Sequence, residues 1–487
     1  MNKAIFYIKK HENIIEFWAK LISGSNDVIL DVKLSQNNDY GSVRDWKSND
    51  LQFKDNCSEF TNELYHYYFM PIIYKFLCFH ETHNVQQINF EGEHSDFYIA
   101  AGYFLEKKIK INGLKFLKLK YYFLYFKRIA LYFKSQIISL GVIISKAILN
   151  AEIFSNRLDV KNEFALIHSK SSYRNIEKLK LELNYYYDDI KGRFKEKPDK
   201  NALSFYKMIR VVDYLKLIIK SFILTHDIFK KLAATSKTMV GDFGAIHAMN
   251  FFSTRIGHYI LIKQAYMNIF NYHSGVKFYS GERESRYGAL AMAVSKIYKN
   301  YSIAIPHGMS YSYKYPLGLF GQKYYCTTLQ ESKYLNEIYN ETKFIFDKDL
   351  MNIIYQAGLI KNINKKIVFF TEPRRPYVNL FIIENLTKIL DQTLYIKLHP
   401  LEDVKFYKNY KNIVFINDFD QAIQSNICIS RKSTILIEAL YNQSISIALL
   451  VDKQDEYDYN NSFPSLLDPE INQCHSFKDL VYNIKKY

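Results

Sequence analysis

Twice in the last quarter of this chain a short apolar run stops abruptly at a polar loop. Tyr395-Ile396-Lys397-Leu398 runs into His399-Pro400, and Ile427-Cys428-Ile429 runs into Ser430-Arg431-Lys432-Ser433-Thr434. Runs of this length between polar loops read as buried strands. The second loop leads straight into helical periodicity over 435–441. A strand feeding a helix in this way is half of a parallel crossover unit. In an open parallel sheet, ligands bind beyond the carboxyl ends of the strands. The two loops therefore mark a candidate site as well as a fold.

The same alternation runs through most of the 487 residues. Near the start, 4–8, 28–34 and 87–90 read as strands. Apolar spacing over 12–22, 62–79 and from 94 to about 105 reads as helix. Strands follow at 164–168, 276–280, 302–305 and 324–327, with helices at 286–299 and 331–339 and a helix-rich segment over 202–272. A second series has strands at 366–371, 393–398, 413–416, 427–430 and 446–450, with a helix over 378–390. Alternation of this kind specifies an α/β fold, parallel sheets covered by helices. A polar bridge near 345 divides the chain into an N-terminal unit, 1–345, and a C-terminal unit, 346–487.

The segment 107–151 breaks the pattern. It holds ten Lys or Arg and no acidic residue, and Leu114 to Phe123 interleaves lysines with aromatic and aliphatic side chains. A basic, aromatic, helix-compatible insertion suits an anionic membrane surface. The alternative is a pair of core-covering helices with solvated lysines. No window reaches eighteen apolar residues without a charge, so a peripheral attachment is expected rather than a spanning helix.

Net charge is +16. That suits an anionic partner, but there is no zinc-finger spacing and no RNP-type strand, so nucleic acid is not the expected one. The five cysteines, Cys57, Cys78, Cys326, Cys428 and Cys474, form no CxxC pair. Scattered thiols and an N-terminal apolar run too short for a signal peptide fit a reducing, cytoplasmic compartment. Phe79-His80-Glu81-Thr82-His83 is one residue short of the HExxH spacing, and no P-loop or Gly-x-Gly-x-x-Gly occurs. Tyr187-Asp188-Asp189 reads as a turn.

Five loops carry groups that could do chemistry. In the C-terminal unit they are Thr371-Glu372-Pro373-Arg374-Arg375, Lys397-Leu398-His399-Pro400 and Ser430 to Thr434. Ser433 and Thr434 put two hydroxyls beside unpaired N–H groups and the positive end of a helix dipole, a phosphate-binding arrangement. The alternative for them is a plain N-cap. Lys397 and His399 add charge and donors. Glu438, one turn past Thr434, could accept hydrogen bonds from a ribose diol or sit in a salt bridge with a lysine. His399 could instead cap the next helix. In the N-terminal unit, Ser280-Gly281-Glu282-Arg283-Glu284-Ser285-Arg286 and Ile305-Pro306-His307-Gly308-Met309 each follow a strand. Glu282, Glu284 or His307 could take a proton from an attacking hydroxyl, and Gly308 would let backbone approach a ligand. A local cap with ion pairs is the alternative for 282–286. Glu91 and Glu93 are a weaker carboxylate pair.

Two sheet units, a Pro-His-Gly loop ending the first, and a Lys-x-His-Pro loop followed by a Ser-Thr-x-x-x-Glu helix resemble the GT-B fold transferases of bacterial surface polysaccharides. These include capsule and lipopolysaccharide Kdo transferases, bacterial sialyl- and polysialyltransferases, and teichoic-acid glycerophosphotransferases. The resemblance spans about 276–452. It implies two Rossmann-like doubly wound domains, the first acceptor-side and the second donor-binding. It implies a glycosyltransferase moving a sugar, such as the acidic sugars Kdo or sialic acid, from a nucleotide donor to a capsule or lipopolysaccharide glycan. CMP- or CDP-linked donors are favoured over UDP, with no tightly bound cofactor and no metal.

By the same resemblance, His399 with Pro400, Ser433 and Thr434 would hold the donor phosphates, with Lys397, Arg374, Gly308 and Glu438 in the binding cleft. His307 would face that cleft, and Glu282 or Glu284 would be the base. The capsule Kdo transferases carry a Glu-Glu-Gly-Tyr run in the N-terminal half. Here only Phe90-Glu91-Gly92-Glu93 is partly similar. A CDP-polyol phosphotransferase of the same fold and a non-catalytic binder of anionic polymers are the alternatives.

Overall fold

The computed structural model describes residues 2–11, 14–23, 27–34, 58–64, 76, 79–92, 97, 100–101, 104, 108–113, 117–149, 162–189, 202–235, 248–315, 317–357, 365–373, 375–407, 410 and 412–487. Most of the helix expected over 62–79, and Glu93, Arg374, Cys57 and Cys78, lie outside these residues.

The described residues build three sheets. The first is small and mixed: β1 (Lys3–His11), β2 (Ile14–Ile22), β3 (Val28–Leu34), β4 (Gln87–Glu91) and β5 (Lys110–Asn112), in the order β3-β2-β1-β4-β5. The helix expected over 12–22 is in fact strand β2, paired antiparallel to β1 from His11↔Ile14 to Lys3↔Ile22. The run Ile-Ile-Glu-Phe-Trp-Ala-Lys-Leu-Ile satisfies both periods. Period two wins because Phe17, Ala19 and Leu21 all bury on one face against Ala4 and Phe6. Aromatic and β-branched side chains also favour the pleated surface.

The second sheet is parallel throughout and has seven strands. They are β6 (Glu163–Ile167), β7 (Leu183–Tyr187), β8 (Leu203–Ser204), β9 (Lys277–Ser280), β10 (Tyr301–Ala304), β11 (Lys323–Cys326) and β12 (Phe344–Phe346). Their order is β12-β11-β10-β9-β6-β7-β8. The third has six parallel strands: β13 (Ile367–Phe370), β14 (Leu394–Lys397), β15 (Ile413–Phe415), β16 (Ile427–Ser430), β17 (Ile445–Leu449) and β18 (Asn472–Cys474), in the order β15-β14-β13-β16-β17-β18. The protein is thus an α/β molecule with two Rossmann-like, doubly wound parallel sheets and a basic helical insertion, Leu117–Leu149, in the N-terminal unit. β18 went unread because Asn-Gln-Cys carries no apolar run. The inner strands are buried on both faces, as Phe164 to Ile167 and Ile367 to Phe370 show.

Strand order reverses between β6 and β9 in the second sheet and between β13 and β16 in the third. These reversals open a crevice at the carboxyl edge of each sheet. The two parallel sheets are tied to each other by hydrogen bonds. Thr327, just past β11, donates from Oγ1 to Ser465 Oγ at 3.0 Å and accepts at its carbonyl from Tyr441 at 2.8 Å. Ser312 N–H donates to the Ser462 carbonyl at 2.9 Å. Asn442 accepts from Ala357 N–H at 2.7 Å and donates to the Tyr355 carbonyl at 2.9 Å. The helix Lys453–Ser462 therefore returns from the last sheet to brace the preceding one. Cys326, Cys428 and Cys474 are free and buried.

Candidate functional site

At the reversal in the second sheet, β9 ends on Ser280-Gly281-Glu282. Gly281 has no room for a side chain: a Cβ there would collide with Ser172 Oγ and stand 3.3 Å from His307 Nδ1. The absent side chain lets the turn before the helix Arg286–Tyr298 press against the helix Lys170–Glu177 and the His307 ring. Arg283 is buried beneath the next loop, donating to Ser310 Oγ at 3.3 Å and to the Met309 carbonyl at 3.4 Å. It fixes the Pro306-His307-Gly308 loop from below. Burial and the neighbouring Arg283 charge lower the His307 pKa, against the opposing pull of Glu282 and Glu284. Burial and Arg283 thus favour the neutral form of the His307 ring.

Glu282 accepts from Ser285 Oγ at 2.5 Å, so one of its oxygens is engaged at the start of the following helix. Glu284 is more exposed and lies 4.0 Å from Arg283. Arg286 turns away and pairs with Glu63 at 2.6 Å. The alternative of a cap with local ion pairs thus describes Glu282, bonded to Ser285, and Glu284, beside Arg283, but not Arg286, whose partner Glu63 is distant in the chain.

At the reversal in the third sheet, the loops after β13, β16 and β17 interlock. Glu372 accepts from Lys432 N–H at 2.7 Å, and burial raises its pKa against the pull of Arg431. Arg431 is wholly buried. Its guanidinium donates to Asp455 at 2.5 and 3.0 Å and to Asn379 Oδ1 at 3.1 Å. Lys432 pairs with Asp458, and Arg375 with Asp455 and, at 2.5 Å, with Asp452. Arg375 starts the helix Pro376–Ile389 in a left-handed conformation (φ 58°), which its two ion pairs help to hold. Sequence reading missed this network. Its signal was Asp452, Asp455 and Asp458 three apart on one helix face just past a strand end.

These buried charges fix Arg431 and Lys432, and so aim Ser433 and Thr434. Ser433 Oγ accepts from Ile435 N–H at 3.4 Å, a cap role, whereas Thr434 makes no side-chain cap bond. Thr434 Oγ1 stands 3.9 Å from where a Cβ on Gly308 would lie. The Pro-His-Gly loop of one sheet and the Ser-Thr loop of the other therefore meet. Glu438 is buried and faces Arg174 of the opposite unit, 3.9 Å away; the salt-bridge alternative for it is present in that form, with an arginine in place of a lysine. Burial raises the Glu438 pKa, opposed by Arg174 and Lys178.

His399 is half-buried past β14. Its N–H donates to Thr371 Oγ1 at 3.0 Å, and its Nδ1 accepts from Leu401 N–H at 3.2 Å. The ring bonds within its own turn and does not reach the next helical element, Val404–Tyr407, so the helix-cap alternative is not what forms. That bond also sets the tautomer: with Nδ1 accepting, the proton sits on Nε2, which is left as a donor. Burial lowers the His399 pKa, against Glu402. Lys397 is half-buried, and desolvation lowers its pKa against the pull of Asp418. Pro400 is exposed.

One strand along from the first crevice lies a second polar cluster. The turn expected at Tyr187-Asp188-Asp189 is instead the end of β7, with Asp188 wholly buried. The ladder extends through Tyr187, and Asp188 is drawn inward by His168 at 3.7 Å, His258 at 3.5 Å and Tyr206 at 3.0 Å. Burial opposes its ionisation, but the two histidines hold it below the usual carboxylate range. Among the described residues no group of three His, Cys, Asp or Glu could hold a metal ion.

The fold defines a class: an α/β protein with two parallel sheets, a loop past the carboxyl end of one strand in each brought together at Gly308 and Thr434. No protein-family model matches the chain, and no curated protein does. Among solved structures it is similar to UDP-GlcNAc 2-epimerase from Neisseria meningitidis bound to UDP-GlcNAc. That likeness has 11% identity and a TM-score of 0.33, covering 67% of this chain and 100% of that one.

Proposed function

We propose that this protein is a glycosyltransferase that moves a sugar from a nucleotide donor to a bacterial capsule or lipopolysaccharide glycan. The observation that carries this reading is the meeting of the Pro306-His307-Gly308 loop with the Ser433-Thr434 loop, with Gly308 against Thr434. A donor phosphate bound by the second loop lies within reach of groups on the first. In this mechanism His399 donates from Nε2 to the departing phosphate, and Lys397 adds positive charge to it. Neutral His307, or Glu284 beside it, takes the proton from the acceptor hydroxyl. Ser433 and Thr434 orient the phosphates. Glu438, pointing at Arg174, couples the donor side to the acceptor side. The sugar is an acidic one such as Kdo or sialic acid, on a CMP- or CDP-linked donor, and the reaction uses no metal. The enzyme works in the cytoplasm at the inner face of the plasma membrane, where lipid-linked acceptors reside.

Thermal shift against CMP, CDP, UDP and GDP, with and without EDTA, tests the reading. A ligand at a hundredfold its Kd stabilises by about 2.7 kcal/mol. A selective shift with one nucleotide, followed by release of that nucleotide from the matching donor, is expected. Phosphodiester products would instead mark a polyol phosphotransferase. No shift, with steeply salt-dependent polymer binding, would overturn the reading in favour of a binding module.

A further inference from the structure

The basic insertion folds as one helix, Leu117–Leu149, and it is not alone. The helix Val211–Thr235 packs along it. Tyr132 meets Phe229 at 5.7 Å between ring centroids. At the other end, Lys146 lies over the Tyr206 ring, whose carbonyl accepts from Tyr214. Residue 132 is thus beside 229, and 146 is near 214, so the two helices run antiparallel. Their inner faces are committed to the core. Ser139 touches Gly257 of the helix Ile256–Tyr272, and Ile143, Leu217 and Ile228 are buried.

The outer faces are apolar as well. On the first helix Phe126, Phe133, Ile137, Ile144 and Ile148 fall on one stripe; Ile137 is 68% exposed and Ile148 is 72% exposed. On the second, Val212, Leu215, Ile219 and Ile223 do the same, Leu215 being 71% exposed. The antiparallel register lays the stripes side by side. Soluble proteins rarely expose apolar surface this continuous unless something covers it. Exposed Lys127, Lys134, Lys216, Lys220 and Lys230 border it. Among the described residues of these two helices no carboxylate is exposed: Asp213 is buried against Arg210, and Asp227 is partly buried.

We infer that this helix pair is a docking face for an anionic lipid bilayer, lying in the plane of the interface. Charge complementarity selects the occupant. Apolar stripes bordered by lysines, without exposed acids, match acyl chains beneath anionic headgroups. The stretch Phe126–Leu149 is long and apolar enough by composition to cross a membrane. Its inner face, packed on the fold, holds it flat instead. The inference stands independently of the proposed transferase activity, and the second helix makes the face wider than the insertion alone.

Co-sedimentation of the full chain with vesicles tests it, using neutral phosphatidylcholine with and without a quarter phosphatidylglycerol. Binding to the anionic vesicles is expected, at least tenfold tighter than to neutral ones and weakened by salt. Ile137→Glu and Ile219→Glu, each on the exposed face and each checked for an unchanged melting curve, should lower it at least tenfold. Nucleotide thermal shifts should be unchanged in both variants, which separates this face from the proposed active site. Equal binding to neutral and anionic vesicles, or none, overturns the inference. So does a dimer in sedimentation velocity that Ile137→Glu dissociates while vesicle binding persists, because a second copy would then own the face.

Discussion

His399 has one ring nitrogen committed to the Leu401 N–H and the other left to donate. If that donor stabilises a departing phosphate, His399→Ala lowers turnover by about a hundredfold or more with the fold intact, since removing one oxyanion donor costs 10²–10³. Steady-state rates with the donor found by thermal shift check this. Away from the site, His273 is buried against Phe164 and bonded to Tyr186 at 2.8 Å, and burial lowers its pKa to about 4. The unfolded chain, at the ordinary value of 6.5, binds the proton that the folded one refuses. Stability is therefore full above pH 6.5 and falls as pH drops toward 4, by about 3 kcal/mol from this group. Urea unfolding at pH 4.5, 5.5 and 6.5 should show a shallower fall in His273→Phe. Asp455 is the partner that buried Arg431 cannot lose. Asp455→Ala should cost about 3–5 kcal/mol in urea unfolding, the usual result of stranding a buried charge.

Between elements, backbone proximity decides more than side-chain chemistry. A Cβ on Gly257 would stand 2.6 Å from Ser139 Cα, so the long basic helix and the helix Ile256–Tyr272 cross there at backbone distance. Gly257→Ala gains about 1 kcal/mol of helix propensity but forces the helices apart at a cost of about 1–3 kcal/mol. A net loss and a lower urea midpoint are expected. Such contacts explain which parts of the fold were legible in the sequence. Strands such as β13 and β16 were readable because burial on both faces makes Ile427 to Ile429 or Ile367 to Phe370 continuous apolar runs, whereas β7, β8 and β12 went unread. β2 was misread because its apolar residues fit two periods, and only pairing to β1 chooses between them. β18 had no run to read. At the site, loops were legible as strand ends, and His399, His307 and the Ser-Thr pair stand on them. Asp455 and Asp188 were not, because long-range partners give a carboxylate a reason to be buried. Arg431, His168 and His258 are those partners, and sequence order separates them from the acids they hold.

Across the whole molecule, the two parallel sheets are joined by side chains that bond backbone groups of both. Asn442 accepts from Ala357 N–H and donates to the carbonyls of Tyr355 and Glu438. Met309 packs with the core under the last sheet, and Tyr441 with that under the preceding one. These shared cores predict one calorimetric transition for both sheets. Asn442→Ala, leaving several buried backbone groups unpaired at about 1–3 kcal/mol each, should lower that transition or split it in two. The buried cysteines make such events separately visible. Cys326 sits in the seven-stranded sheet, and Cys428, pushed up to about 12 by burial, sits in the six-stranded one. Burial raises the thiol pKa of both, so neither is a thiolate while its sheet is closed. An alkylating reagent reaches each only when its own sheet opens. Mass spectrometry of the labelled peptides would then time each sheet's opening separately, with matching rates expected when the two open together.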